Sequence, residues 1–298
     1  MATDIFLIPI PPQQLRNIQG WSAQPAHLAY RVGRGPHLFR AGGSVPLRGG
    51  VMVAEELFQT PQAVGSVPLR GGVMVVDGQG YDGTGPVGPF CQEVVSECSV
   101  RGFSGAVLDF DRRLPPLEQL AGQLDRLFAQ RGLALYVPEP FGHCVSHSRV
   151  ILSSALSGGS LSQRLEEAAE RFGRDRVALS LERSAEDFSL PSPTGSGTPL
   201  TRQQLRQQMD ALRPSVFFSR ELCARYYTYM DRDTGAHFVL FDDGDTMLRK
   251  VEVARRAGVS VFLAPYEDIR DCAGALGLLP RSMQKRGPRA VDAVPAGE

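Results

Sequence analysis

The stretch GFSGAVLDFD (102–111) decides how this chain is read. Gly105, Ala106, Val107 and Leu108 are small or apolar without interruption, the signature of a strand buried on both faces. Side chains two apart on a strand share a face, so Asp109 and Asp111 leave its end on the same side. A buried strand that delivers two carboxylates to one end is a natural wall for a ligand pocket.

Working outward, the flanks have the same character. The pattern predicts a helix over 90–100 before this strand. A stripe of Leu117, Leu120, Leu124, Leu127 and Phe128 after it has helical spacing. Strands are expected at LALYVPE (133–139), RVILSSAL (149–156), VALSLE (177–182), SVFFS (215–219) and VSVFLAPY (259–266). Between them, Leu161, Leu165, Ala168 and Phe172 mark a helix with a Ser160/Gln163 capping box. Leu205, Met209 and Leu212 mark another, capped by Thr201 and Gln204. RYYTYMD and HFVLFD flank the turn RDTG as a hairpin, and Met247, Val251, Ala254 and Ala257 give the last helix, with Asp245 or Thr246 as its N-cap. SLPSPTGSGTPL (189–200) reads as a mobile loop.

Buried strands alternating with amphipathic helices indicate a parallel α/β architecture, and their number suits a TIM-type (β/α)8 barrel. It is expected as one domain over 1–279, with a hairpin-containing insertion at 189–245 before the last helix and strand. The tail 280–298 has little to bury and is expected to be disordered. Residues 1–88 fit less regularly: DIFLIPI, HLAYRV and PHLFRA are strand-like, but convincing helices are missing. GSVPLRGGVMV occurs at 43–53 and again, letter for letter, at 65–75. Two identical copies suggest a tandem duplication in which one copy is surplus to the fold, not a solenoid.

Composition narrows the partners. Lys plus Arg and Asp plus Glu both total 32, for a net charge of zero. That gives no support to capture of nucleic acid or of an anionic membrane surface. No apolar run approaches the roughly 18–20 residues that span a bilayer. The first residues carry no basic leader, so a cytoplasmic location is expected. The five cysteines are scattered and read as free, mostly buried thiols.

Two stretches together resemble glycoside hydrolase family 18, the chitinase-like enzymes. GFSGAVLDFD is similar to that family's fourth-strand signature, DGxDxDxE after a glycine-aromatic lead. FVLFDDGDTMLRKVEVARRAGVSVFLAPY (238–266) is similar to its closing segment, and the hairpin before it to the insertion between its seventh and eighth strands. The resemblance covers about 90–275. It implies an N-acetylglucosamine-containing glycan as the carbohydrate ligand and no cofactor. Asp111 then takes the place of the proton-donating glutamate, and Asp109 that of the aspartate that steadies the substrate's N-acetyl nucleophile.

The departures bear on activity. Ser104 and Val107 replace the other two acids of the signature. Aspartate is a methylene shorter than glutamate, about 1.5 Å, and misplacement by about 1 Å can cost on the order of 10²-fold in rate. LSSAL (152–156) lacks the acid and phenol that hold the N-acetyl group. The last strand offers Tyr266 where a tryptophan is usual, and Trp21, the only one, is remote in sequence. The implied function is a barrel that binds such a glycan and hydrolyses it weakly. The alternative is a catalytically silent carbohydrate-binding or structural protein on the same scaffold.

Other candidate groups follow from the residues alone. Glu139 and Glu182 end their strands as Asp111 does. They are candidate substrate-binding acids, or partners of Asp111 in a different two-carboxylate hydrolase. Salt bridges to arginine are the simpler role for each. In DGQGYDGTGPVG (77–88), which is no P-loop, Tyr81 is a candidate sugar contact with Asp77 and Asp82. His143, Cys144 and His147 have ligand-like spacing but no obvious third partner, and FDDGD (241–245) lacks the oxygens of a calcium loop. No metal site is expected.

Overall fold

The computed structural model describes residues 4–32, 38–40, 72–192 and 195–280. Eight parallel strands close into a barrel: β1 (Ile5–Ile10), β2 (Gln24–Val32), β4 (Val73–Asp77), β5 (Gly105–Asp109), β6 (Ala134–Pro138), β7 (Arg149–Ser153), β8 (Val177–Ser180) and β14 (Val261–Leu263). Closure comes from β1, which pairs with β14 on one side and with β2 on the other. The short β3 (Leu38–Arg40) runs antiparallel to the far end of β2.

Strand alternation sorts the apolar residues into two shells. Leu7, Ala26, Val73, Val75, Val107, Tyr136, Ala178 and Val261 fill the barrel interior. Their neighbours, among them Ile8, Met74, Val76, Ala106, Leu108, Val137 and Phe262, face outward into the larger core. There they meet α1 (Val87–Arg101), α2 (Pro115–Gln130), α3 (Leu161–Phe172) and α5 (Gly244–Arg256). The stripe read from sequence on α2 is largely buried: Leu117, Leu120, Leu124 and Phe128 are all at most 2% exposed.

The opening stretch shows why its glycines are needed. Gly102 takes a left-handed φ of 68° and ends α1. The Phe103 N–H donates to Cys98 O at 2.9 Å, the long bond of a Schellman turn. At Gly105 a β-carbon would lie 2.1 Å from Ala134 O, so any side chain there would push β5 away from β6.

Between β8 and α5 lies a five-stranded antiparallel sheet, ordered β10-β9-β13-β12-β11. Its strands are β9 (Ala185–Leu190), β10 (Thr198–Pro199), β11 (Phe217–Ser219), β12 (Ala224–Asp231) and β13 (Gly235–Phe241). α4 (Arg202–Leu212) covers one face through Leu205 and Met209. The last helix among the described residues is the short α6 (Tyr266–Ile269).

Several expectations change. The segment 189–200 is not simply a loop, since β9 runs into it and β10 pairs antiparallel with β9. Periodicity missed these strands because AEDFSL has one buried apolar residue and β10 contains a proline. Ser160 precedes α3 without capping it; its hydroxyl bonds to Ser162 at 2.9 Å. Thr201 and Gln204 do form the capping box of α4. On α5 the N-cap is Asp243, boxed with Thr246, and Asp245 pairs with Arg225. In the N-terminal part β2 shifts register against β4 between Leu28 and Tyr30, and a 3-10 turn (Pro12–Ile18) stands where a helix would join β1 to β2. The first GSVPLRGGVMV copy and the tail from 281 lie outside the described residues. The second copy ends inside β4. No helix among the described residues is long and apolar enough to cross a membrane.

Candidate active site at the barrel mouth

The C-terminal ends of β4, β5 and β8 bring four acids to one end of the barrel. Asp77 is in phase with the interior residues Val73 and Val75, and Asp109 with Val107. Asp111 follows beyond Phe110, and Glu182 lies two residues past the end of β8. The loop after β4 ties two of them together. Gln79 donates its backbone N–H to Asp77 Oδ1 at 2.7 Å and its side-chain amide to Asp111 Oδ2 at 3.1 Å. The backbone N–H of Gly78 donates to Asp109 O at 2.9 Å, which pins that loop to β5.

Asp109 is the electrostatic centre of the group. Its side chain meets solvent at the open end of the barrel, but strand ends crowd around it. Burial is the largest cause of a pKa pushed up to about 6, followed by the charges of Asp77, Asp111 and Glu182. Asp77 is also raised, chiefly by burial; the Gln79 N–H and Arg31 work against the rise. Arg31 Nε lies 3.6 Å from Asp77 Oδ2. The Asp109 carboxyl therefore keeps its proton up to about pH 6, as a general acid's can.

Glu139 and Glu182 part company. Arg164 on α3 donates to Glu139 Oε2 at 2.5 Å, so Glu139 has the salt bridge that was its simpler role. Glu182 accepts a hydrogen bond from Ser153 Oγ at 3.3 Å and adds its charge to the field at Asp109.

The aromatic candidates both pack against the outer core. Tyr81 is 2% exposed within the outer core, and its buried hydroxyl has no hydrogen-bond partner among the described residues. Tyr266 packs against the outer core and beside Trp21, with ring centroids 5.7 Å apart. Trp21, remote in sequence, is thus brought next to the first residue of α6, three past the end of the last strand. At the end of β14 it is Leu263, in phase with Val261, that turns inward.

Sequence reasoning undervalued Asp77, which ends VMVVD with the same alternation that singled out Asp109. Arg31, Gln79 and Ser153 carried no signal of their own. FDDGD holds a structural ion pair: Asp242 and Lys250 are each 1% exposed at the side chain and 2.8 Å apart.

Neither protein-family models nor curated proteins match the chain. Solved structures do. A chitinase from Chromobacterium violaceum is 13% identical, with 95% of this chain and 97% of that one covered at a TM-score of 0.59. A class V chitinase from Nicotiana tobaccum, in complex with NAG4, is 11% identical, covering 93% and 99% at 0.60. The spore cortex-lytic enzyme SleL of Bacillus megaterium is 12% identical, covering 88% and 70% at 0.57. At these identities the likeness is one of fold: a chitinase-like barrel.

Proposed function

We propose that the barrel mouth binds an N-acetylglucosamine-containing glycan and hydrolyses it weakly. The observation that carries this reading is the grouping of Asp77, Asp109, Asp111 and Glu182 around one raised carboxyl. Asp111 is the proton donor to the glycosidic oxygen. Asp109 holds the proton that steadies the substrate's N-acetyl group, whose oxygen is the nucleophile in substrate-assisted cleavage. Support comes from the fold shared with chitinases, one of them in complex with NAG4.

A second reading, binding without turnover, is favoured by Asp111 itself. Its carboxyl is short for the role and accepts the Gln79 amide.

Calorimetry with an N-acetylglucosamine tetramer tests the binding. Asp109→Asn should weaken it by about tenfold, the worth of a lost hydrogen bond to a charged or polar partner. Absence of heat with the unmodified protein at millimolar tetramer would sink both readings. Release from a chromogenic oligomer that disappears in Asp111→Asn separates the weak hydrolase from the silent binder.

A further inference from the structure

The His143–Cys144 pair lacked a third partner in the sequence, and the fold supplies one. Glu118, on the first turn of α2, comes up against the turn that follows β6 (Glu139–Cys144). Glu118 Oε1 lies 3.6 Å from His143 Nε2, and Cys144 Sγ lies 3.1 Å from the same nitrogen. All three donor atoms fall within 4.8 Å of one another. Tetrahedral zinc with bonds of about 2.0–2.3 Å separates its donors by about 3.4 Å, so only small rotations would place an ion between them.

The donor chemistry points the same way. Arg113 NH2 lies 3.0 Å from His143 Nε2. A guanidinium N–H can only donate, so that nitrogen presents its lone pair to Arg113, where a cation already sits. A lone pair, a carboxylate oxygen and a sulfur thus lie within 4.8 Å of one another. One nitrogen, one sulfur and one oxygen donor suit a borderline cation such as Zn²⁺ better than magnesium or calcium, which select all-oxygen cages.

We propose that Glu118, His143 and Cys144 bind one Zn²⁺ ion at the rim of the barrel, with water in the fourth position. Arg113, which also bonds Glu118, occupies the place of the cation in the metal-free arrangement and swings into solvent when zinc enters. Cys144 releases its thiol proton to water as the metal–sulfur bond forms. The ion then joins the first turn of α2, which follows the loop carrying Asp111 and Arg113, to the turn after β6. It braces one side of the mouth whatever ligand the mouth holds.

Titration of the full chain with Zn²⁺ against a chromogenic chelator tests this. The expected result is one ion per chain at micromolar or tighter affinity. Cys144→Ser and His143→Gln should each weaken uptake by at least about 100-fold, the upper end of what losing a ligand's supporting partner costs. Arg113→Ala should tighten it. Co²⁺ in place of zinc should give a thiolate-to-metal absorption band that Cys144→Ser removes. His143 is exposed and its variant should fold normally, as circular dichroism would verify. Absence of stoichiometric uptake, or uptake unchanged in both ligand variants, would overturn the proposal.

Discussion

Two aspartates, Asp109 and Asp242, show opposite solutions to one problem. Asp242 is sealed beneath the start of α5. It accepts from Lys250 Nζ at 2.8 Å, Thr246 Oγ1 at 2.8 Å, Ser184 Oγ at 3.1 Å and Ser184 N at 3.2 Å. A buried carboxylate with a cation and three further donors is fully satisfied. Asp109 sits in the open, surrounded by three other acids, and burial and like charge hold its proton on. The satisfied acid secures the fold; the strained one faces the open mouth of the barrel. Strain of that kind persists where function uses it.

The contrast breaks hardest at Lys250. Lys250→Met keeps the apolar stem and removes the cation, leaving Asp242 charged in a dry interior. The expected loss is about 3–5 kcal/mol of stability, typical when one partner of a buried pair is removed. Urea unfolding followed by circular dichroism measures it. A loss under about 1 kcal/mol would mean that water reaches Asp242.

How far the sequence foretold all this depends on the kind of signal. GAVLD and VALS disclosed their strands because burial on both faces leaves an uninterrupted apolar run. The carboxylates at 109 and 111 followed from alternation alone. Arg31, Gln79 and Ser153 were invisible, because pairing of neighbouring strands brings together loop and strand-end residues that sequence spacing cannot relate. The packing of successive units likewise set Glu118 beside His143, and the return of β14 to β1 set Trp21 beside Tyr266. Helix caps fell between these cases. Thr201-x-x-Gln204 and Ser160-x-x-Gln163 look alike on paper, and only the local backbone decides which closes.

That last pair repeats the satisfied-against-unsatisfied contrast on a smaller scale. The Thr201 hydroxyl accepts the Gln204 N–H at 3.2 Å, and the Thr201 N–H donates to Gln204 Oε1 at 2.8 Å. Thr201→Ala should therefore cost about 1 kcal/mol, the usual worth of an N-cap. Ser160→Ala should cost only a few tenths, since its side chain caps nothing. Equal losses in thermal melts of the two variants would contradict the assigned caps.

The smallest effect sharpens the comparison most, because it reverses sign. Replacing Asp109 by Asn removes a charge that the fold disfavours, so it should stabilise the protein where Asp242 variants can only harm it. The unfolded chain releases the Asp109 proton near pH 4, whereas the folded chain holds it to about pH 6. Between those values the folded state binds more protons, so the Asp109 contribution to stability falls as pH rises. Below about pH 4 both states are protonated and the penalty is absent; above about pH 6 it is complete. Because the carboxyl still meets water, the gain from Asp109→Asn at pH 7.5 is about 1 kcal/mol or less. It should shrink steadily through pH 5 and vanish by pH 4, while binding of the N-acetylglucosamine tetramer is weakened at every pH. Melting curves of the two proteins across that range decide it. A stability difference that does not vary with pH would show that Asp109 is an ordinary surface acid, and the mouth would lose its electrostatic centre.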